Sequence, residues 1–342
     1  MRRHELARML LIGVAASIVG IAITLAMDWF PEQGSTAADD IDTLYDVLLI
    51  ASVPVFVLVM TIAIYCVIRF RVRPGDLSDG EPIHGNTRLE IIWVTIPFIM
   101  VTALAIYGWV VLDDIEAKKP DELRVNVIGQ QFAWRFEYPD QNVKSPDLVL
   151  PKDKPVHFYI TSDDVIHSFW VPEFRLKSDA VPGLTTDVRL TPNKVDEYPV
   201  VCAELCGIGH STMRQQVRVL PRGEWDDWVA DRQRRASGGG GDEQAALDGQ
   251  AIFTEEGCGA CHTLADAGSN ADVGPGLDEL ARSAGKRRPG TEAPAYVEES
   301  ILDPSAFVVG GFQDDLMPKD YGDQLTPEEV DALVQYLLDA SR

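Results

Sequence analysis

Two runs, Val47 to Ile68 and Ile91 to Leu112, each hold 22 residues without one charged side chain. In lipid a backbone must satisfy its own N–H and C=O groups, and ~20 apolar residues of helix cross a ~30 Å hydrocarbon core. Residues 44–117 are therefore expected to form a transmembrane helical hairpin. A third run, Leu10 to Met27, holds 18 residues behind Arg2, Arg3 and Arg8. It reads either as a further span or as the apolar core of a signal peptide whose cleavage site ends at Ala37, and its length favours a span. Residues 1–43 then form this N-terminal segment and an outer loop. Arg69, Arg71, Arg73 and Arg88 fill the loop between the later runs, whereas Trp29 to Leu44 has no Lys or Arg. Basic loops stay on the cytoplasmic side, so everything after Leu112 is expected on the outer face of a bacterial plasma membrane. Pro54 and Pro97 are read as helix kinks, and Cys66 as a packing residue.

After Leu112 the pattern changes to short β-branched and aromatic runs broken by Pro, Gly, Asn and Asp. Strands are expected at Leu123 to Ile128, Phe132 to Tyr138, Val156 to Ile160, Thr185 to Leu190 and Gln216 to Val219, giving an antiparallel sandwich or barrel over 118–231. Between its late strands the chain reads Val-Cys-Ala-Glu-Leu-Cys-Gly-Ile-Gly-His-Ser-Thr-Met from Val201 to Met213. Cys202, Cys206, His210 and Met213 offer two thiolates, an imidazole and a thioether, a donor set suited to electron-transfer copper. Zinc and a disulfide are the alternatives. Zinc would have no use for Met213, and a disulfide would leave His210, Met213, Gly207 and Gly209 without a reason. A further ligand has to come from upstream. His167 stands at a strand end and can turn toward the loop, whereas His157 lies inside an alternating run and is read as a satisfied strand histidine.

A helix-like stretch to Arg235 leads into Ser237 to Gly241, Ser-Gly-Gly-Gly-Gly, and residues 232–246 are read as a flexible linker spanning roughly 20 Å. Residues 247–342 then form a separate domain. Cys258-Gly-Ala-Cys261-His262 is the attachment motif for c-type heme: two thiols bond the porphyrin vinyls and the next imidazole binds iron. A bare pair of cysteines would leave redox and zinc roles open, but the adjacent histidine favours heme. No histidine follows His262, and Met317 is the only methionine beyond it, so Met317 is expected as the second axial ligand, with a packed methionine as the alternative. Thr326-Pro-Glu-Glu329 opens the last helix with a capping box, and Tyr336 is expected to pack across Gly249. From Asp242 to Arg342 the chain carries 21 Asp or Glu against 6 Lys or Arg, within a chain of net charge −23. Such a charge disfavours nucleic acid and suits a basic redox donor protein.

His167-Ser-Phe-Trp-Val-Pro, Lys177-Ser-Asp-Ala-Val-Pro-Gly183 and Cys202-Ala-Glu-Leu-Cys206 with His210 and Met213, in this order, resemble subunit II of the heme-copper respiratory oxidases. The resemblance runs from about Leu44 to Trp228, and with the fused heme domain it resembles the caa(3) type. It implies a multi-domain membrane protein made of a helical hairpin, an all-β cupredoxin-like barrel and an all-α cytochrome c domain. It also implies a binuclear CuA centre bridged by Cys202 and Cys206. His167 and His210 would be its terminal ligands, and Met213 and the Glu204 carbonyl its weak ones. The Glu204 carboxylate would be free for magnesium at an interface with subunit I.

Glu90, a plain helix-start acid by composition, gains from the resemblance a place at the mouth of the proton path called K. Gly129 to Tyr138 resembles the aromatic segment that receives electrons, with Phe132 at the usual tryptophan position and Trp134 at the next. The function implied is transfer of electrons from a donor protein or a cytochrome bc complex, through heme c and CuA, to subunit I, with other oxidase subunits and membrane lipid as partners. A CuA-type nitric oxide reductase subunit and a membrane-tethered shuttle without an oxidase partner are the alternatives. Quinol oxidases are disfavoured, since their subunit II lacks the copper ligands.

Overall fold

The computed structural model describes residues 3–71, 75, 82, 84–236, 249–288, 290–314, 316–319 and 321–342, which fall into two compact units. The first unit consists of α1 (Arg3–Leu25), α2 (Thr36–Arg69) and α3 (Thr87–Glu116). All three are long and apolar enough to span a membrane. Leu11, Ile68 and Phe98 stand exposed among many other apolar side chains. A helix apolar on every face has to be covered by protein or by hydrocarbon, and here the chain itself does not cover it. The run at Leu10 to Met27 is thus as helical as the other two, and Ala37 lies inside α2. Gly20 of α1 stands where a Cβ would lie 2.8 Å from Val53 of α2, so the missing side chain permits that close approach. Pro54 and Pro97 sit inside α2 and α3.

The second unit begins as a β-sandwich. Its strands are β1 (Leu123–Gln130), β2 (Ala133–Tyr138), β3 (Val143–Ser145), β4 (Leu148–Pro151), β5 (Val156–Ser162), β6 (His167–Val171), β7 (Leu176–Ala180), β8 (Thr186–Leu190), β9 (Asp196–Cys202) and β10 (Arg214–Leu220). One sheet has the order β3-β2-β1-β5-β8, the other β4-β10-β9-β6-β7. Alternation along β2 turns Trp134, Phe136 and Tyr138 inward, where they meet Phe158 of β5 and Phe169 of β6. Trp134, Phe136 and Phe158 each set an edge or tilted ring 5.5–6.2 Å from Phe169, the arrangement that ring quadrupoles favour. The buried Tyr138 hydroxyl both donates to and accepts from the backbone of Val149, at 2.9 and 2.8 Å. Five of these strands, β3, β4, β6, β7 and β9, are additions to those expected from the sequence. They are short, or carry Pro or polar residues, and owe their extended form to their partners in the sheet.

Helix α4 (Arg222–Ala236) closes the sandwich and runs through residues 232–236, placed in the linker by composition. Arg, Gln and Ala there are good helix formers. The Gly-rich stretch at 237–248 lies outside the described residues. Beyond it come α5 (Gly249–Glu255), α6 (Leu280–Arg287), α7 (Ala293–Leu302), α8 (Tyr321–Gln324) and α9 (Pro327–Ala340). Thr326 and Glu329 form the expected capping box at the start of α9, with Pro327 in its first turn. Gly249 also packs as expected: a Cβ there would lie 2.4 Å from both Ala332 O and Tyr336 Cβ, so α5 and α9 cross backbone against backbone. Phe253, Leu333 and Leu337 fill the core beside that crossing.

Candidate functional site

The first site is built on the loop joining β9 to β10. Cys202 ends β9, Cys206 follows in the loop, His210 opens a short 3₁₀ turn, and Met213 precedes β10. The loop is closed at its base by the Cys202 N–H donating to Met213 O at 3.2 Å, next to the Arg214↔Val201 pair of the ladder. His167 comes from the neighbouring strand, because β6 pairs with β9 at Phe169↔Cys202. The two sulfurs lie 3.9 Å apart. His167 Nδ1 is 3.9 Å from Cys202 Sγ, and His210 Nδ1 is 3.6 Å from Cys206 Sγ. Glu204 O stands 3.2 Å from Cys202 Sγ and Met213 Sδ 3.8 Å from Cys206 Sγ. All six expected ligands therefore converge, each sulfur with one imidazole and one weak donor. His157 is elsewhere, in β5, with its Nε2 2.8 Å from Asp187.

Two residues that sequence reasoning missed hold this arrangement. Asp164 Oδ1 is 2.8 Å from His167 Nε2, which leaves Nδ1 turned to the sulfurs. The same carboxylate accepts the Gln131 N–H at 2.7 Å, and the Gln131 side chain donates to Cys206 O at 2.5 Å. The spacing Asp-x-x-His at 164–167 and the position of Gln131 beside the aromatic segment were the available signals. Gly207, at φ +141°, and Gly209 make room for this turn: a Cβ on Gly209 would lie 2.4 Å from Phe132 Cδ2.

The two thiols are unequal. Burial raises Cys202, but hydrogen bonds from His167 and the backbone outweigh it and bring it to about 6. Burial, and then the neighbouring Cys202 charge, push Cys206 up to about 12. A first thiolate forms readily and a second forms when a cation offsets the repulsion, so this buried soft-donor set fits copper.

The second site is an apolar cleft of about 1370 Å³, counting the part open to solvent, lined by Cys258, Cys261, His262 and Met317. His262 Nδ1 donates to Pro275 O at 2.8 Å, leaving Nε2 as the free nitrogen. Burial holds His262 below the ordinary histidine range, in the neutral form that a metal needs. A Cβ at Gly274 would lie 2.5 Å from His262 Cε1, so only glycine lets the ring take this position. Burial raises both thiols, Cys261 to about 11. Neutral thiols in apolar walls suit covalent attachment of a porphyrin better than zinc thiolate ligation.

Glu90 lies far from either set in sequence and has a local task. Asn86 Oδ1 accepts the Leu89 N–H, and Glu90 Oε1 accepts the Asn86 N–H at 3.1 Å, capping α3. The Glu204 side chain is exposed, beside the exposed apolar Leu205 and Ile208.

Comparison with known proteins agrees with this layout. Residues 22–111 match the transmembrane domain of cytochrome c oxidase subunit II, residues 143–220 its periplasmic domain, and residues 246–341 cytochrome c. Cytochrome c oxidase subunit 2 of Alkalihalophilus pseudofirmus is 31% identical over 326 residues, covering 90% of this chain and 91% of its own length. That of Synechocystis is 31% identical over 271 residues, covering 64% of this chain and 82% of its own. Among solved structures, the periplasmic domain of subunit II from Bradyrhizobium japonicum is 27% identical, with a TM-score of 0.33, covering 35% of this chain and 98% of that one. With its apolar helices, its cupredoxin-like β domain and its heme-motif domain, this membrane chain belongs to the cytochrome c oxidase subunit II family, in a form fused to a C-terminal cytochrome c domain.

Proposed function

We propose that this chain is the electron-input subunit of a caa(3)-type cytochrome c oxidase of an aerobic respiratory chain. The observation that carries the reading is the pairing of donors around Cys202 and Cys206, each sulfur flanked by one imidazole and one weak donor at 3.2–3.9 Å. In this reading His167, Cys202, Cys206, His210, Met213 and the Glu204 carbonyl hold the CuA copper. Cys258 and Cys261 would attach heme c, and His262 and Met317 would hold its iron. When bound, these groups supply one-electron couples at the two ends of a short intramolecular route. The protein's own part is to keep both sets of ligands in one geometry through the cycle. The sandwich does this by tying both ends of the ligand loop to the β9–β10 ladder, while Asp164 orients His167.

The exposed Leu205 and Ile208 beside the Glu204 carboxylate support a face turned to subunit I, with magnesium as the Glu204 ligand there. The basic residues of the loop between α2 and α3 support an orientation with both soluble domains outside the plasma membrane, where the acidic cytochrome domain would meet a basic donor protein. Dioxygen reduction and proton translocation belong to subunit I. Glu90 feeds protons toward it while also capping α3. Glutamine keeps the capping acceptor and loses the proton, so Glu90→Gln is expected to slow oxygen turnover severalfold; unchanged turnover would leave the cap as its whole role.

Electron paramagnetic resonance and optical spectra of the purified complex test the main reading. A shared-valence copper signal together with a covalent heme c is expected, along with oxygen consumption in preference to nitric oxide. A zinc-loaded, resonance-silent loop would sink the copper assignment, and a preference for nitric oxide would make the complex a reductase.

A further inference from the structure

Five residues of the connection between α1 and α2 belong to the sandwich rather than to the helices. Glu32 to Thr36 fall in the second compact unit, which otherwise begins at Lys118. The Gly34 N–H donates to Glu173 O at 2.8 Å, and Gly34 O accepts the Asn193 N–H at 3.2 Å. Ser35 Oγ donates to Phe174 O at 3.0 Å, and Ser35 pairs with Pro192 in an isolated antiparallel bridge. The Thr36 N–H donates to Thr191 O at 2.9 Å. A Cβ on Gly34 would lie 3.0 Å from both the Phe174 and Tyr198 rings, and Ser35 and Ala38 are each 0% exposed. Lys194 closes the outer end with an ion pair to Glu32. Phe174 lies in the turn after β6 and Tyr198 near the start of β9, so the strap grips the ends of these strands remote from His167 and Cys202.

The same residues carry the leader-like signal. Ser35-Thr36-Ala37 offers small residues three and one positions before the bond to Ala38, the pattern that a leader peptidase reads. A peptidase needs that stretch open and extended, and nicking concentrates at exposed loop tips. Here Ser35 is bonded and buried, and Thr36 and Ala37 already form the first turn of α2. A cut would also send Glu32 to Ala37 away with α1. It would open the Phe174 and Tyr198 rings to water and take from Glu173 O, Phe174 O and Thr191 O the donors that the strap supplies. We propose that residues 32–36 are a lasting clasp of the sandwich, that the Ala37–Ala38 bond stays intact in the mature protein, and that α1 is kept with it as a third membrane span. The parity of crossings agrees. In the chain α2 and α3 lie between the strap and the sandwich, and two crossings return to the side on which the contact is made. A spanning α1 then sets Arg2, Arg3 and Arg8 on the side of Arg69, Arg71, Arg73 and Arg88, as the bias of basic residues to one side demands. The clasp rests on the contacts alone and holds whichever metal the sandwich takes up.

N-terminal sequencing and intact mass of the subunit in the purified complex test the uncut bond. Both α1 and the strap are expected in the mature chain. A chain that lacks α1 overturns its retention, and one that begins at Ala38 overturns the clasp as well. Hydrogen exchange tests the clasp in the same preparation. Peptides covering 32–36 and 191–194 are expected to exchange at least a hundredfold more slowly than open chain. Gly34→Val drives a branched side chain against the two rings, so exchange there and in 172–176 should rise at least tenfold. Peptides from β1 and β5 should keep wild-type exchange, which separates release of the strap from misfolding. Ser35→Ala removes the Oγ bond and leaves the backbone in place; it should raise exchange in the same peptides severalfold, and it decides the matter where the valine variant does not fold. A wild-type strap that exchanges like open chain, or variants that exchange like the wild type, overturn the clasp.

Discussion

Cys206→Ala abolishes the shared-valence copper signal and leaves at most that of a single copper ion. Cys206 is the most connected donor of the loop, with Cys202 Sγ, His210 Nδ1 and Met213 Sδ all within 3.6–3.9 Å of its sulfur. Removing it would take one of the two sulfurs from the proposed copper site and strand His210 and Met213, while Cys202, His167 and the Glu204 carbonyl remain able to hold one ion. Copper at this site is expected to fall from about two ions per chain to about one. Delivery of electrons to the partner subunit should drop a hundredfold or more. The fold survives, because the residue lies in a loop beyond β9 and the truncation removes one buried sulfur, at a cost of about 1 kcal/mol. Metal analysis, resonance spectra and thermal unfolding of the same preparation check all three statements. A retained shared-valence signal would show that the two thiolates do not share the metal.

Met317→Leu lowers the reduction potential of the cytochrome domain. Met317 is partly buried against the apolar core and lines the cleft with His262. A thioether opposite a histidine favours the reduced state, and axial ligation across heme proteins spans ~0.8 V, so a fall on the order of 0.1 V is expected. Leucine keeps the volume, so the packing cost stays below about 1.5 kcal/mol. Equilibrium redox titration of the heme bands measures the shift. If Met317 only packs, the titration stays in place and the unfolding temperature alone moves.

Much of this site was legible in the sequence because its chemistry is local. Cys202, Cys206, His210 and Met213 lie in one loop, and Cys258, Cys261 and His262 form one motif, so spacing alone brings each group together. The capping box at Thr326 and the Gly249–Tyr336 crossing were legible for the same reason, as each depends on a short pattern or on a residue type with one geometric use. Asp164 and Gln131 were not. A carboxylate three residues before a histidine, or a glutamine beside an aromatic run, has many uses, and only the folded turn shows which one holds here. The five additional strands were hidden because each lacks one part of the strand signal: β3 is three residues long, β4 is buried throughout rather than alternating, and β9 contains Pro199.

The sequence by itself determined the membrane helices, the two donor sets and the class of cofactor each suits. Apolar length and ligand chemistry act within a few residues and need no partner to be read. The tertiary structure decided that His167 meets the loop from 35 residues upstream, through the β6–β9 pairing at Phe169↔Cys202. It also decided that the cytochrome domain rests on Phe132 with Arg232 against Glu256. Those contacts join segments far apart in the chain, and their register is set by how two cores and their side chains pack, a quantity that no short stretch of residues contains.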